Sequence, residues 1–271
     1  MIRIPIYQPS LSGREKEYVM DCLDSTWISS KGSYIGRFEK DFSEKISVNH
    51  ALTVSNGTVA LHLALVALGI GPNDEVIVPS LTYIASVNAI TYTGAKPVFV
   101  DSLPDTWQLD PMDVLQKITP KTRAIMVVHL YGHPCDMDSI MQIAEEHDLF
   151  VVEDCAEAFG STYKGKYVGS IGHIATFSFF GNKTITTGEG GMVVTNTPEL
   201  FSKAAHFRGQ GLAAQREYWH DVIGYNYRMT NICAAIGLAQ LEQADNFIQA
   251  KRDIALRYRK RSEERRVGKE C

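Results

Sequence analysis

The run TFSFFGNKTITTGEGG, Thr176–Gly191, sets a single lysine between an aromatic strand and a glycine-rich turn. From Ile174 to Thr187 no other Lys, Arg, Asp or Glu stands beside Lys183, so its ammonium has no partner close in sequence. Burial would lower the pKa of such a group and favour the neutral amine, the form that adds to an aldehyde. Pyridoxal 5'-phosphate (PLP) is the commonest protein-bound aldehyde. Taken alone, Lys183 reads more readily as a lysine on an ordinary loop. The decision turns on whether the chain supplies the other groups such a cofactor requires.

A phosphate needs converging amides. SNGT, Ser55–Thr58, follows the short strand ALTV and opens an apolar helix, so its amides and the helix dipole can hold a dianionic phosphate. Ser178, on the strand just before Lys183, adds a hydroxyl donor. A pyridine nitrogen that stays protonated needs a carboxylate beside it, and Asp154 ends the apolar run LFVVED, where open α/β sheets bind ligands. Glu157, three residues on, is in reach of a ring hydroxyl, and Tyr83 in PSLTYIASVNAI offers an aromatic face after a strand. Each has an ordinary reading when taken singly: a helix N-cap for SNGT, a packed or solvated strand serine, a capping aspartate, a core tyrosine.

The elements that must position these groups follow from hydrophobic period. Apolar runs at Asp74–Pro79, Lys96–Asp101, Arg123–Leu130, Leu149–Asp154, Ile174–Phe180 and Gly191–Thr195 predict the strands of a mainly parallel sheet. Helices are predicted over Thr58–Leu68, apolar nearly all round and therefore buried, and over Met137–His147. IGPNDE, ITPKT and GHPCD supply turns. The first part, through EKI at residues 44–46, reads as two helices flanking a WISSKG loop, and Ala235–Arg259 as a helical stretch leading onward.

The 271 residues are 45% hydrophobic, enough for a substantial core. A net charge of -4 gives no basic footprint for nucleic acid. No run reaches membrane-spanning length and MIRIPIYQPS has no signal-peptide pattern, so a cytoplasmic protein is expected. The five cysteines, Cys22, Cys135, Cys155, Cys233 and Cys271, show no CxxC spacing and the eight histidines no HExxH, so no metal site is expected.

Together SNGTVALHLAL, DEVIVPSLTYIASVNAI, GAKPVFVD, VHLYGHPCDMD, VEDCAEAFG, FSFFGNKTITTGEGGM and GYNYRMTNICAAIGLAQLE resemble the PLP-dependent sugar aminotransferases of the DegT/DnrJ/EryC1/StrS family, over almost everything before Arg261. The resemblance implies the α/β fold of type I PLP-dependent transferases, a mainly parallel sheet flanked by helices. It implies Lys183 as Schiff-base lysine and proton shuttle, Asp154 as pyridinium partner and Glu157 as ring-hydroxyl neighbour. Tyr83 is implied to stack on the ring, Gly57, Thr58 and Ser178 to hold the phosphate, and Asn226 in GYNYR to reach the phosphate of a neighbouring subunit in a homodimer with shared sites. The implied substrates are L-glutamate and a nucleotide-linked keto sugar, a GDP-linked 4-keto-6-deoxy sugar being favoured over UDP- or dTDP-linked ones. The dehydratase branch of the family carries histidine at the lysine position, which Lys183 argues against. His173 stands where many relatives have an acidic residue, without touching an assigned role.

The expected organisation is an N-terminal segment and large cofactor-binding domain over residues 1–245, the start of a linker over 246–260, and a C-terminal small domain largely missing. RSEERRVGKEC, Arg261–Cys271, back-translates to a common sequencing-adaptor read and is expected to be read-through from a shortened gene, a basic solvated helix end being the plain alternative. From a different class, an inactive fragment that only folds, or binds PLP without turnover, competes with the enzyme.

Overall fold

The computed structural model describes residues 5, 7–213, 215–216 and 218–261. Helices α1 (Glu15–Asp24) and α2 (Ser33–Ile46) precede β1 (His50–Val54), α3 (Gly57–Ala67), β2 (Glu75–Pro79), α4 (Ile84–Tyr92), β3 (Lys96–Val100) and α5 (Pro111–Gln116). Then come β4 (Thr122–Val128), α6 (Met137–Glu146), β5 (Phe150–Asp154), a small hairpin of β6 (Thr162–Tyr163) and β7 (Lys166–Tyr167), β8 (Ile174–Ser178) and β9 (Gly191–Thr195). Helices α7 (Pro198–Arg208), α8 (Asn231–Glu242) and α9 (Ala244–Arg261) follow.

Seven strands form one sheet in the order β1-β9-β8-β5-β4-β2-β3. Only β9 runs against its neighbours, so the sheet is mainly parallel, as expected. Strand period 2 sorts the side chains onto two faces. Leu52, Val76, Val78, Met126, Val152, Ile174 and Val193 share one core with residues of α3, α4 and α7. Their alternates Phe177, Met192 and Val194 pack with Phe38 and Phe42 of α2 and with α8, while Ile77, Ile125 and Val151 pack with α6. Helices thus cover both faces. Each fully buried side chain such as Leu63, Phe42 or Ile125 contributes about 1.5–3 kcal/mol.

The same alternation decides the chemistry at the end of β5. Glu153 points with Val151 toward α6, and Asp154 points with Val152 toward α3 and α4, so adjacent carboxylates do unrelated work. Because β1, β8, β5, β4 and β2 all run one way, their carboxyl ends and the turns that follow lie along one edge.

Boundaries differ from expectation by more than one residue in three places. The strands predicted to Leu130 and Phe180 stop at Val128 and Ser178, where the backbone turns into site loops. The stretch Ala235–Arg259 is two helices rather than one. The chain breaks at Gln243 (φ -108°, ψ 6°), with Gln240 behind the break donating through Nε2 to the Ser10 carbonyl and to Glu15. Helices α4, α5 and α7 and the β6–β7 hairpin stand beyond the predicted set. His173 accepts the Val151 N–H on Nδ1 at 2.9 Å and takes no part in the site edge. Of the expected tail, residues 262–271 lie outside the described residues. Among the described residues no helix is long and apolar enough to cross a membrane.

Candidate active site

A cavity of about 610 Å³ opens at the carboxyl edge of the sheet, and Gly57, Thr58, Tyr83, Asp154, Glu157, Ser178 and Lys183 all line it. These are seven of the eight residues that the sequence singles out. Strand register brings them together: Val128 pairs with Asp154, and Asp154 with Thr176, so the ends of β4, β5 and β8 lie side by side. The volume is in the range of about 300–1,000 Å³ usual for small-molecule sites.

Asp154 is buried at 5% exposure at the cavity wall. Its Oδ2 accepts the Ser86 hydroxyl at 2.8 Å and its Oδ1 the Ala156 N–H at 3.1 Å. Burial pushes its carboxyl above the usual carboxylate range, although those two donors and the charge of Lys183 pull the other way. A protonated ring nitrogen presented to it would restore the charge balance that burial removes.

Lys183 projects from a pinned loop. Its own N–H donates to the Phe180 carbonyl, the Thr187 N–H to the Phe179 carbonyl, and the Thr186 hydroxyl to that same carbonyl. Gly188 closes the turn at φ +83°, a conformation that glycine adopts without strain. The lysine is not free of carboxylates, as its sequence surroundings suggested. Glu157 Oε1 comes to 3.9 Å of Nζ, with the two side chains 34% and 20% exposed respectively. The pairing arises because the turn after β5 returns alongside the loop after β8. Glu157 is itself held by the Tyr131 N–H at 2.9 Å on Oε2.

The start of α3 is an anion cradle. Asn56 caps the helix by accepting the Val59 N–H on Oδ1 at 3.0 Å. Among the described residues no acceptor engages the amides of Gly57 and Thr58, so an anion could accept from both. A Cβ at Gly57 would fall 2.7 Å from Ser178 Cβ, so only glycine lets the helix start approach the strand that carries the second donor. Tyr83, 75% exposed, stands over the same opening. Anion cradle, buried carboxylate, aromatic face and lysine around one cavity fit the chemistry of PLP.

Asn226 is elsewhere. It is exposed, does not line this cavity, and accepts a hydrogen bond from Arg228 at 3.3 Å. Sequence reasoning also passed over several groups. Ser86 and Thr82 stand behind Asp154, and Asn182 and Glu189 line the cavity. Behind β5, the fully buried His129 takes the Cys135 N–H on Nδ1 at 3.1 Å, which leaves Nε2–H to donate to Glu153 at 3.0 Å. Glu153 also receives the N–H groups of Gly169, Ile171 and Gly172. Burial pushes its pKa up, but these donors outweigh burial and hold it below the ordinary value. His129, Glu153 and Cys155 lie close enough together to resemble a metal-ligand set. Both carboxylate oxygens of Glu153 and both ring nitrogens of His129 are already engaged in hydrogen bonds, an arrangement that braces β5 beneath the site. The motif VEDC carries its acids, but nothing in the sequence points Glu153 at His129.

The model of the DegT/DnrJ/EryC1/StrS aminotransferase family matches residues 9–269. The chain belongs to that family. It is 72% identical over 257 residues to the GDP-perosamine synthase of Escherichia coli O157:H7, covering 95% of this chain and 71% of that protein. It is 57% identical over 256 residues to the GDP-perosamine synthase of Vibrio cholerae, covering 94% and 70%. The PLP form of the putative sugar aminotransferase Spr1654 from Streptococcus pneumoniae superposes with a TM-score of 0.91 at 34% identity, covering 96% of this chain and 71% of that one. The chain therefore spans about 70% of the length of these relatives, and its fold is that of the type I PLP-dependent enzymes.

Proposed function

We propose that this chain carries the PLP-binding part of an enzyme that transfers the amino group of L-glutamate to C4 of GDP-4-keto-6-deoxy-mannose, giving GDP-perosamine and 2-oxoglutarate. The observation that carries the reading is the 72% identity to a GDP-perosamine synthase across 257 residues that include every residue of the cavity. When bound, PLP supplies the electron sink and carries the amino group between donor and acceptor.

The chain's own residues do the rest. Gly57 and Thr58 amides and the Ser178 hydroxyl hold the phosphate, helped by the dipole of α3. Asp154 keeps a proton at the ring nitrogen, Tyr83 covers a face of the ring, and Glu157 stands by its hydroxyl. Lys183 Nζ would take the proton from the Cα of glutamate and deliver it to C4′ of the cofactor, and in the second half would move a proton the other way, from C4′ to C4 of the sugar. Glu157 Oε1, 3.9 Å from Nζ, would attract that nitrogen while it holds the proton. Asn226, exposed on the segment before α8, reaches the phosphate bound by a partner subunit, so a homodimer shares its sites. The enzyme acts in the cytoplasm on soluble sugar nucleotides. Residues 1–245 form the cofactor-binding unit, and 246–260 lead toward a small domain that closes over the sugar.

The test is turnover with L-glutamate against GDP-, UDP- and dTDP-linked 4-keto-6-deoxy sugars, reading 2-oxoglutarate and the amino sugar. The reading expects GDP-4-keto-6-deoxy-mannose to be preferred at least about ten-fold in kcat/KM, which a few lost hydrogen bonds to the wrong base would supply. Preference for a UDP or dTDP sugar would replace the substrate while keeping the reaction. No amino transfer with any sugar, in protein that binds PLP, would leave a cofactor-binding module.

A further inference from the structure

Ser86 is buried at 1% exposure in the first turns of α4. Hydroxyls in this region usually bond back to their own helix, as Thr91 does to the Val87 carbonyl and Thr93 to the Ile90 carbonyl. Ser86 instead donates across 68 positions of sequence to Asp154 Oδ2 at 2.8 Å. With its one proton directed there, the 3.0 Å contact with Thr82 is made by the Thr82 hydroxyl as donor, which shares its proton with the Tyr83 carbonyl at 3.3 Å. With the Ala156 N–H on Oδ1, the chain presents donors only to Asp154, an arrangement that suits the carboxylate.

We propose that Ser86, backed by Thr82, is a positioning residue that sets the charge and orientation of Asp154 and so keeps the cofactor's ring nitrogen protonated. The proposal rests on the reading of this cavity as a PLP site. Three groups oppose the burial of Asp154 most directly: the Ala156 N–H, the Ser86 hydroxyl and the charge of Lys183. The lysine's charge changes as its nitrogen gives and takes protons. The backbone amide and the serine do not change, and of the two only the serine is a side chain that evolution can tune. Ser86 also sits on the turn that starts with Tyr83, its N–H donating to the Tyr83 carbonyl at 3.3 Å. Ser86 therefore ties the residue facing the ring plane, through its N–H, to the residue facing the ring nitrogen, through its hydroxyl.

The experiment loads the full protein with PLP labelled by nitrogen-15 in the ring and reads the nitrogen shift, together with PLP affinity by fluorescence titration. Wild type is expected to show a protonated ring nitrogen and Asp154→Asn to lose it. Ser86→Ala is expected to move toward Asp154→Asn and to bind PLP about ten-fold more weakly, the low end of what a hydrogen bond to a charge contributes. Thr82→Val, nearly isosteric and only partly buried, is expected to shift the same way by less, and it decides the matter if Ser86→Ala fails to fold. No PLP binding by wild type would sink the underlying PLP reading, and wild type and Asp154→Asn giving the same shift would overturn the role of Asp154 and with it that of Ser86. With those two distinct, Ser86→Ala and Thr82→Val both matching wild type in shift and affinity would overturn the role of Ser86.

Discussion

Lys183 is the residue on which the proposed chemistry turns, and the structure sets it in the cavity on a pinned loop with Glu157 Oε1 3.9 Å from its Nζ. Lys183→Ala is expected to abolish steady transamination, by a factor of at least about 10³, while PLP is still held through the cradle and Asp154. Product formation under steady state and PLP retention on a desalting column check both halves. Asp154 carries a second expectation. Because burial raises its folded pKa above the ordinary aspartate value, its ionisation opposes folding, and that opposition develops as pH rises through the folded pKa. Asp154→Asn, able to donate from its amide to the Ser86 oxygen, should leave the cofactor-free protein at least as stable at pH 7, while weakening PLP binding and slowing turnover. A cofactor-free melting temperature several degrees below wild type would contradict the strain assigned to this carboxylate.

Among the elements, the start of α3 and the end of β5 do most to hold the site. Gly57→Ala forces a Cβ to within 2.7 Å of Ser178 Cβ, so either helix or strand must yield. A loss of about 1–3 kcal/mol in stability is expected from such overpacking, with weaker PLP binding, measurable by denaturant titration and fluorescence. At β5 the sign of the pH effect is opposite to that of Asp154. Glu153 has a depressed folded pKa, so its stabilisation is present above the ordinary glutamate range and is lost as pH falls toward the folded value. Glu153→Gln should destabilise the protein by about 1–3 kcal/mol at pH 7, the range for weakened hydrogen bonds to a buried charge, and flatten its acid transition, read from denaturation at several pH values. These elements were legible to different degrees. β2, β4, β5, β8 and β9 could be read because buried strands need continuous β-branched and apolar runs, and Asp154 because it ends such a run. Ser86 and His129 could not, since what distinguishes them is a contact made across the sheet edge rather than any local pattern. The break at Gln243 was hidden for another reason: it carries neither Gly nor Pro, and its cause is packing against the N-terminal segment.

At the scale of the whole molecule, Asn226 is the residue that the single chain does not account for. It is exposed and outside the cavity, yet it lies on a segment tied to the SNGT turn through the Ser55 N–H to the Tyr227 carbonyl at 2.9 Å. A partner subunit that receives Asn226 at its own phosphate would explain both facts. Mixing Lys183→Ala with Asn226→Ala protein should then restore activity, because each heterodimer contains one site free of both substitutions. About a quarter of wild-type turnover is expected from statistical assembly of the dimer. If heterodimers form, Asn226→Ala alone is impaired and nothing is restored, Asn226 acts within its own chain.

The most direct test of the account is chemical trapping at Lys183. Borohydride reduction of the PLP-loaded protein, followed by peptide mass mapping, should place the reduced cofactor on the peptide FFGNKTITT, residues 179–187, and remove it when L-glutamate is added before the reductant. Label on another lysine, or a protein that binds PLP but yields no labelled peptide, would contradict it.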